Sequence, residues 1–67
     1  MLKNLLAEMT RVGITNKDIA NAIGRDSKSV YNKLHCKTEF TRREMVQIKQ
    51  KFFPKQSLDY LFEQTDR

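Results

Sequence analysis

Apolar residues return at helical spacing through Leu2, Leu5, Leu6, Met9 and Val12, and Gly13 follows where a left-handed residue ends such a helix. The first helix is therefore expected from Leu2 to Val12. In the next stretch Thr15 can cap the amide of Asp18, the Asp18 carboxylate can reach back, and Ile14 can staple onto Ile19. A second helix is expected from Asn16, with Ile19, Ala20 and Ile23 on one face and Gly24 as its stop after about two turns. Asp26 is the next N-cap. Beyond it only Val30 and Leu34 anchor the third helix, and Ser27, Lys28, Ser29, Tyr31, Asn32 and Lys33 occupy its other faces. Thr41 and Glu44 form a capping box, with Phe40 and Met45 as the staple, for a fourth helix from Arg42 to Phe52. Pro54 breaks the chain, and Ser57 opens a short fifth helix with Leu58, Leu61 and Phe62 inside. No segment alternates as a strand would, so the fold class is all-α. Leu5, Met9, Ile19, Ile23, Val30, Leu34, Met45, Ile48, Leu58 and Leu61 are the expected core.

Composition narrows the possibilities. A chain of 67 residues forms one domain at most, spanning 1–67, and buries only about 60% of its unfolded surface. One Cys and one His allow neither an internal disulfide nor a four-ligand zinc site, so no metal and no cofactor are expected. His35 and Cys36 are sequence neighbours on a helical stretch and do not face each other, which argues against a nucleophilic pair. No paired carboxylates, Gly-rich phosphate loop or Ser/His/Asp set can be composed, and an enzyme is not expected. No apolar run reaches the roughly 18 residues of a membrane helix and no leader pattern opens the chain, so the expected location is cytoplasmic, without a membrane partner. The formal charge is +5, and it is concentrated: residues 25 to 55 hold nine basic and three acidic side chains, whereas the end of the chain is acidic. That balance favours an anionic partner.

A short capped helix, a Gly-containing turn and a helix with a polar outer face make a helix-turn-helix arrangement. The stretch Ile14 to Leu34, with small Ala20, turn Gly24 and aliphatic Val30, resembles the helix-turn-helix of the Cro and lambda-repressor-like (XRE) family. The segments Lys37 to Glu44 and Ser57 to Glu63 resemble the last two helices of small regulators from phages and prophages of Gram-positive bacteria. Arg25 departs from the family pattern, which places an apolar residue there. The resemblance implies a five-helix lambda-repressor-like domain that binds double-stranded DNA sequence-specifically and regulates transcription as a repressor or Cro-like protein in a phage or prophage switch. It further implies a homodimer on DNA and a place in the bacterial cytoplasm, associated with the nucleoid.

On that reading Ser27, Lys28 and Asn32 of the third helix face base edges: Lys suits guanine acceptors, Asn makes a bidentate pair with adenine, and Ser is permissive. Tyr31 can meet a thymine methyl or lie against the domain surface. Asn16 and Lys17 open the second helix, and the resemblance places a phosphate on the first of them. Ser29, Lys33, Lys37, Thr38, Arg42 and Arg43 complete the expected phosphate contacts. For each the plain alternative is a solvated surface. Phe53, Tyr60 and Phe62 are the expected dimer contact. They would also carry the surface of the second functional expectation, a protein-interaction module such as an antitoxin or inhibitor that keeps the fold without using DNA.

Overall fold

The structure is a computed structural model that describes residues 1–64. Among them are five helices and no strand: α1 (Lys3–Val12), α2 (Asn16–Ile23), α3 (Ser27–Leu34), α4 (Arg42–Phe52) and α5 (Leu58–Leu61). Local chemistry sets nearly every boundary. Gly13 adopts φ 80° and closes α1 with its N–H on the Met9 and Thr10 carbonyls. Thr15 and Asp18 form the full capping box of α2, with the Asp18 N–H on Thr15 Oγ1 at 3.2 Å and the Thr15 N–H on Asp18 Oδ2 at 3.0 Å. Thr41 and Glu44 repeat that arrangement at α4. Asp26 caps α3 through the Ser29 N–H at 2.8 Å, and Ser57 caps α5 through the Tyr60 N–H at 3.0 Å.

α2 packs on α3 and α4, while α5 joins α1 to α4. One apolar cluster, Leu2, Leu5, Met9, Ile19, Ala20, Val30, Leu34, Phe40, Ile48, Phe53 and Leu61, fills the centre. Burying each large aliphatic side chain of that kind is worth about 1.5–3 kcal/mol, which is how so small a domain can offset the ordering of its backbone. Ala20 is buried in α2, the helix that packs on α3, so a longer side chain there is expected to overfill the core. Phe40, in the loop after α3, meets the Phe62 ring edge-on at 5.4 Å and so draws the end of the chain onto the core.

Several expectations are corrected. α1 begins at Lys3 because Leu2 is its cap, and Leu2 is itself buried with its N–H on the Leu34 carbonyl at 3.0 Å. Val12 lies on the expected apolar face but is 46% exposed, although Met9 in the same turn is buried. Ile23 and Met45 are half-buried at the edge of the cluster and not inside it, and Leu58 is half-buried outside it. Phe53 is 3% exposed, so it belongs to the core and not to a contact surface: Pro54 ends α4 and turns Phe53 inward.

The α1/α5 side carries a compact polar seam. Glu8 accepts from Arg11 Nε at 2.9 Å and Nη2 at 2.7 Å, and from the Tyr60 hydroxyl at 3.0 Å. Asn4 Nδ2 donates to the Tyr60 carbonyl at 2.9 Å. The Arg11 and Tyr60 hydrogen bonds hold the Glu8 carboxyl below its ordinary range, and the same Glu8 contact raises the Tyr60 hydroxyl.

Candidate nucleic-acid interface

The approach to α3 is built by backbone geometry. Gly24 takes φ 73°, ψ 34°, a left-handed conformation that an L side chain adopts only with strain, and both the Gly24 and Arg25 N–H groups turn back to the Ala20 carbonyl. Arg25 and Asp26 complete the turn, and Asp26 in extended backbone opens α3. The Asp26 carboxyl is held below its usual range by the Ser29 hydroxyl and the Ser29 N–H. Ser29, expected at a phosphate, is thus an internal cap partner.

With Val30 and Leu34 facing the core, the outer stripe of α3 is Ser27, Lys28, Tyr31 and His35. Tyr31 is 48% exposed, and its ring rests on the His35 ring at a centroid distance of 4.3 Å and a tilt of 41°. That support restricts the tyrosine while leaving its outer face open. Asn32 is half-buried on the flank of the stripe. The structure therefore brings Ser27, Lys28 and Tyr31 together on one exposed surface, with Asn32 at its edge.

The cations divide into two groups. Lys17, Lys28, Lys37, Arg42 and Arg43 are exposed and make no side-chain hydrogen bond or ion pair with any described residue. Lys17 stands in the first turn of α2 next to half-buried Asn16, and Lys37 follows α3 with its N–H on the Asn32 carbonyl at 2.9 Å. Arg43 borders a shallow groove with Gly24, Arg25 and Gln47, directly beside the turn. Arg42, its neighbour, borders a different groove, formed with Met45, Leu58 and Phe62, and so faces α5. Arg42 and Arg43, both among the expected phosphate contacts, thus diverge: successive helical residues point about 100° apart, and of the two Arg43 adjoins the turn. Thr38 lines a cleft with Leu2, Cys36 and Phe40 behind α3.

Lys33, another expected phosphate contact, is placed differently from the exposed cations. Its side chain lies inward at 11% exposure, with Nζ donating to the Glu39 carbonyl at 3.0 Å and standing 3.7 Å from Glu44 Oε1 and 5.8 Å from the Phe40 ring centre. It is engaged with the domain itself and does not join the exposed cations. Arg25, in contrast, gains a role that its position in the turn did not suggest. Its Nε donates to Glu44 Oε2 at 2.9 Å. Glu44 is buried, which pushes its carboxyl up, but the Thr41 N–H, Arg25 and Lys33 together outweigh that and hold it below the ordinary range. The signals were present separately, an odd arginine in a turn and a capping glutamate, but nothing local joins residues 19 apart.

Cys36, a free thiol, holds φ 63°, the one non-Gly left-handed residue among those described. Neither it nor His35 belongs to a group of three metal-ligating side chains among the described residues. No helix among them is long and apolar enough to cross a membrane. Of the remaining contact residues, Tyr60 is 37% exposed with its hydroxyl on Glu8, Phe62 is half-buried against Phe40, and Asp66 of the acidic end lies outside the described residues. The chain matches no protein-family model, no curated protein and no solved structure.

Proposed function

We propose that this chain is a sequence-specific double-stranded DNA-binding protein that regulates transcription, with α3 as the helix that enters the major groove. The observation that carries this reading is the outer stripe of α3: Ser27, Lys28 and Tyr31 stand exposed on a helix that a left-handed Gly24 turn sets against α2, with Arg43 beside that turn, Lys37 just after α3 and Lys17 at the start of α2, all three exposed and without a side-chain hydrogen bond or ion pair to any described residue. A helix of this width fits the major groove of B-DNA, where side chains on one face reach base edges, while unpaired cations at its margins neutralise phosphates. Lys28 and Asn32 are the base-reading side chains of the account, with Tyr31 against a thymine methyl or a sugar. Asn16, Lys17, Lys37 and Arg43 hold the backbone.

One such helix reads only a few base pairs, so specificity within a genome calls for two copies on half-sites about 34 Å apart. The regulator acts in the cytoplasm of a bacterial host, as the resemblance to phage and prophage regulators implies, and does no chemistry of its own. The test is selection from a random duplex library followed by titration of the selected site at several salt concentrations. An enriched site, whose affinity falls steeply with salt, is the expected result. No enrichment, or an affinity indifferent to salt, returns the chain to the reading of a protein-interaction module.

A further inference from the structure

The Glu44 carboxylate lies where three parts of the molecule meet. One oxygen, Oε2, accepts from Arg25 in the turn before α3 at 2.9 Å. The other, Oε1, accepts the Thr41 N–H at 3.0 Å and stands 3.7 Å from Nζ of Lys33 in the last turn of α3. A single carboxylate thus reaches Arg25 just before α3 and Lys33 in its last turn, and it does so from the first turn of α4, the turn that carries Arg43. Its side chain is 6% exposed, so water competes weakly for these contacts, whereas Arg25 is half in solvent.

We infer that Glu44 is the positioning residue of the DNA interface, fixing the reading helix α3 at a set distance and angle from the phosphate-holding turn of α4. This rests on the DNA-binding reading above. Base edges are read only when several side chains arrive in register, and phosphate attraction tolerates misplacement. Loosening the link therefore removes discrimination first. Electrostatics alone predicts the opposite sign: taking a negative charge out of a cationic surface strengthens binding to any DNA. The two effects pull in different directions, which makes the substitution informative.

Glu44→Gln is the decisive variant, because Gln preserves the shape of the side chain and still serves a capping box, leaving α4 its N-terminal cap. Affinity is measured for the duplex selected by the wild-type protein and for a scrambled duplex of the same length. The expected result is a loss of about fivefold or more on the selected duplex, in line with couplings between neighbouring charged groups, with the scrambled duplex unchanged or bound more tightly. Arg25→Gln should show the same loss, Arg25→Lys should recover part of it, and the double variant should be no worse than either single one. Equal gains on both duplexes, or additive losses in the double variant, would overturn the inference. A second measurement needs no DNA: the Arg25 Nε–H resonance of the free wild-type protein should be resolved and slow to exchange, and should collapse in Glu44→Gln. A fast-exchanging resonance in the wild type overturns the positioning link even if DNA is bound specifically. Failure to select any duplex while that resonance is protected sinks the DNA reading and leaves the link as a purely structural one.

Discussion

The outer stripe of α3 and the seam between α1 and α5 are both polar, yet they treat their polar groups in opposite ways. In the seam, Glu8 is held by Arg11 within α1, and Glu8 and Asn4 are engaged with Tyr60 across elements far apart in sequence. On α3 and its margins, Lys28, Lys37 and Arg43 make no side-chain hydrogen bond or close ion pair with any described residue. Polar groups satisfied internally serve the fold, and substitutions there should appear in stability. Polar groups left to solvent contribute little to stability, so substitutions there should appear in binding alone. Glu44, Arg25 and Lys33 stand between the two classes, since their contacts are internal but their consequence is the placement of the exposed stripe.

The largest effect expected is on the scaffold that both regions share. Ala20→Leu overfills the packing of α2 on α3 and should cost about 1–3 kcal/mol, with Tm falling about 4–8 °C for each kcal/mol in a domain of this size. DNA affinity should fall with it, and a variant that melts like the wild type would show that α2 and α3 do not pack as described. A Cβ added at Gly24 meets no atom, so the left-handed backbone is what Gly24→Val strains first, at about 1–2 kcal/mol and more for a β-branched residue. Thermal melting of the two variants separates crowding from backbone strain.

Asn32→Ala tests the stripe itself. If Asn32 pairs with an adenine edge, the selected duplex should lose about 1–3 kcal/mol of binding and random DNA much less, with Tm unchanged. Its half-buried flank makes this the most exacting test of register: an unchanged ratio of the two affinities moves base reading to Ser27, Lys28 and Tyr31. Arg43→Ala should weaken both duplexes alike and flatten the slope of log affinity against log salt by about one unit. Arg42→Ala, facing α5, should leave that slope alone.

Acid should erode the scaffold. Glu44 and Glu8 both have folded-state pKa values below their unfolded ones, so the unfolded chain binds more protons once pH enters the ordinary Glu range near about 4.3. Their contribution is complete at neutral pH and is lost as pH falls through the folded values. Melting curves from neutral pH downward should therefore show falling Tm below that range, with a shallower fall in Glu44→Gln. Tyr60→Phe is the smallest change: it removes the hydroxyl from Glu8 and should lower Tm slightly while leaving both DNA affinities untouched.

How much of this was legible depended on range. Caps and stops lie within four residues of their partners, so Thr15, Asp26, Thr41, Ser57, Gly13 and Gly24 announced the helices and the turn, and the structure has all six in those roles. The α3 stripe followed from having only Val30 and Leu34 to bury. Contacts across the chain left no periodic trace: the Leu2 N–H on Leu34, Arg25 on Glu44, and Tyr60 on Glu8. For the same reason Lys33 read as one more surface cation, when a buried carboxylate and an aromatic ring draw it inward. Phe53 read as spare because the capacity of the core cannot be summed from one helix at a time.

The contrast between stripe and seam can be tested in one experiment, by titrating the labelled protein with the selected duplex and following its backbone amide resonances. The account predicts large shifts from Asn16 and Lys17 at the start of α2, through Ser27 to His35, and at Arg43, with Asn4, Glu8, Arg11 and Tyr60 nearly still. Shifts concentrated on α1 and α5, with the α3 stripe unmoved, would contradict it.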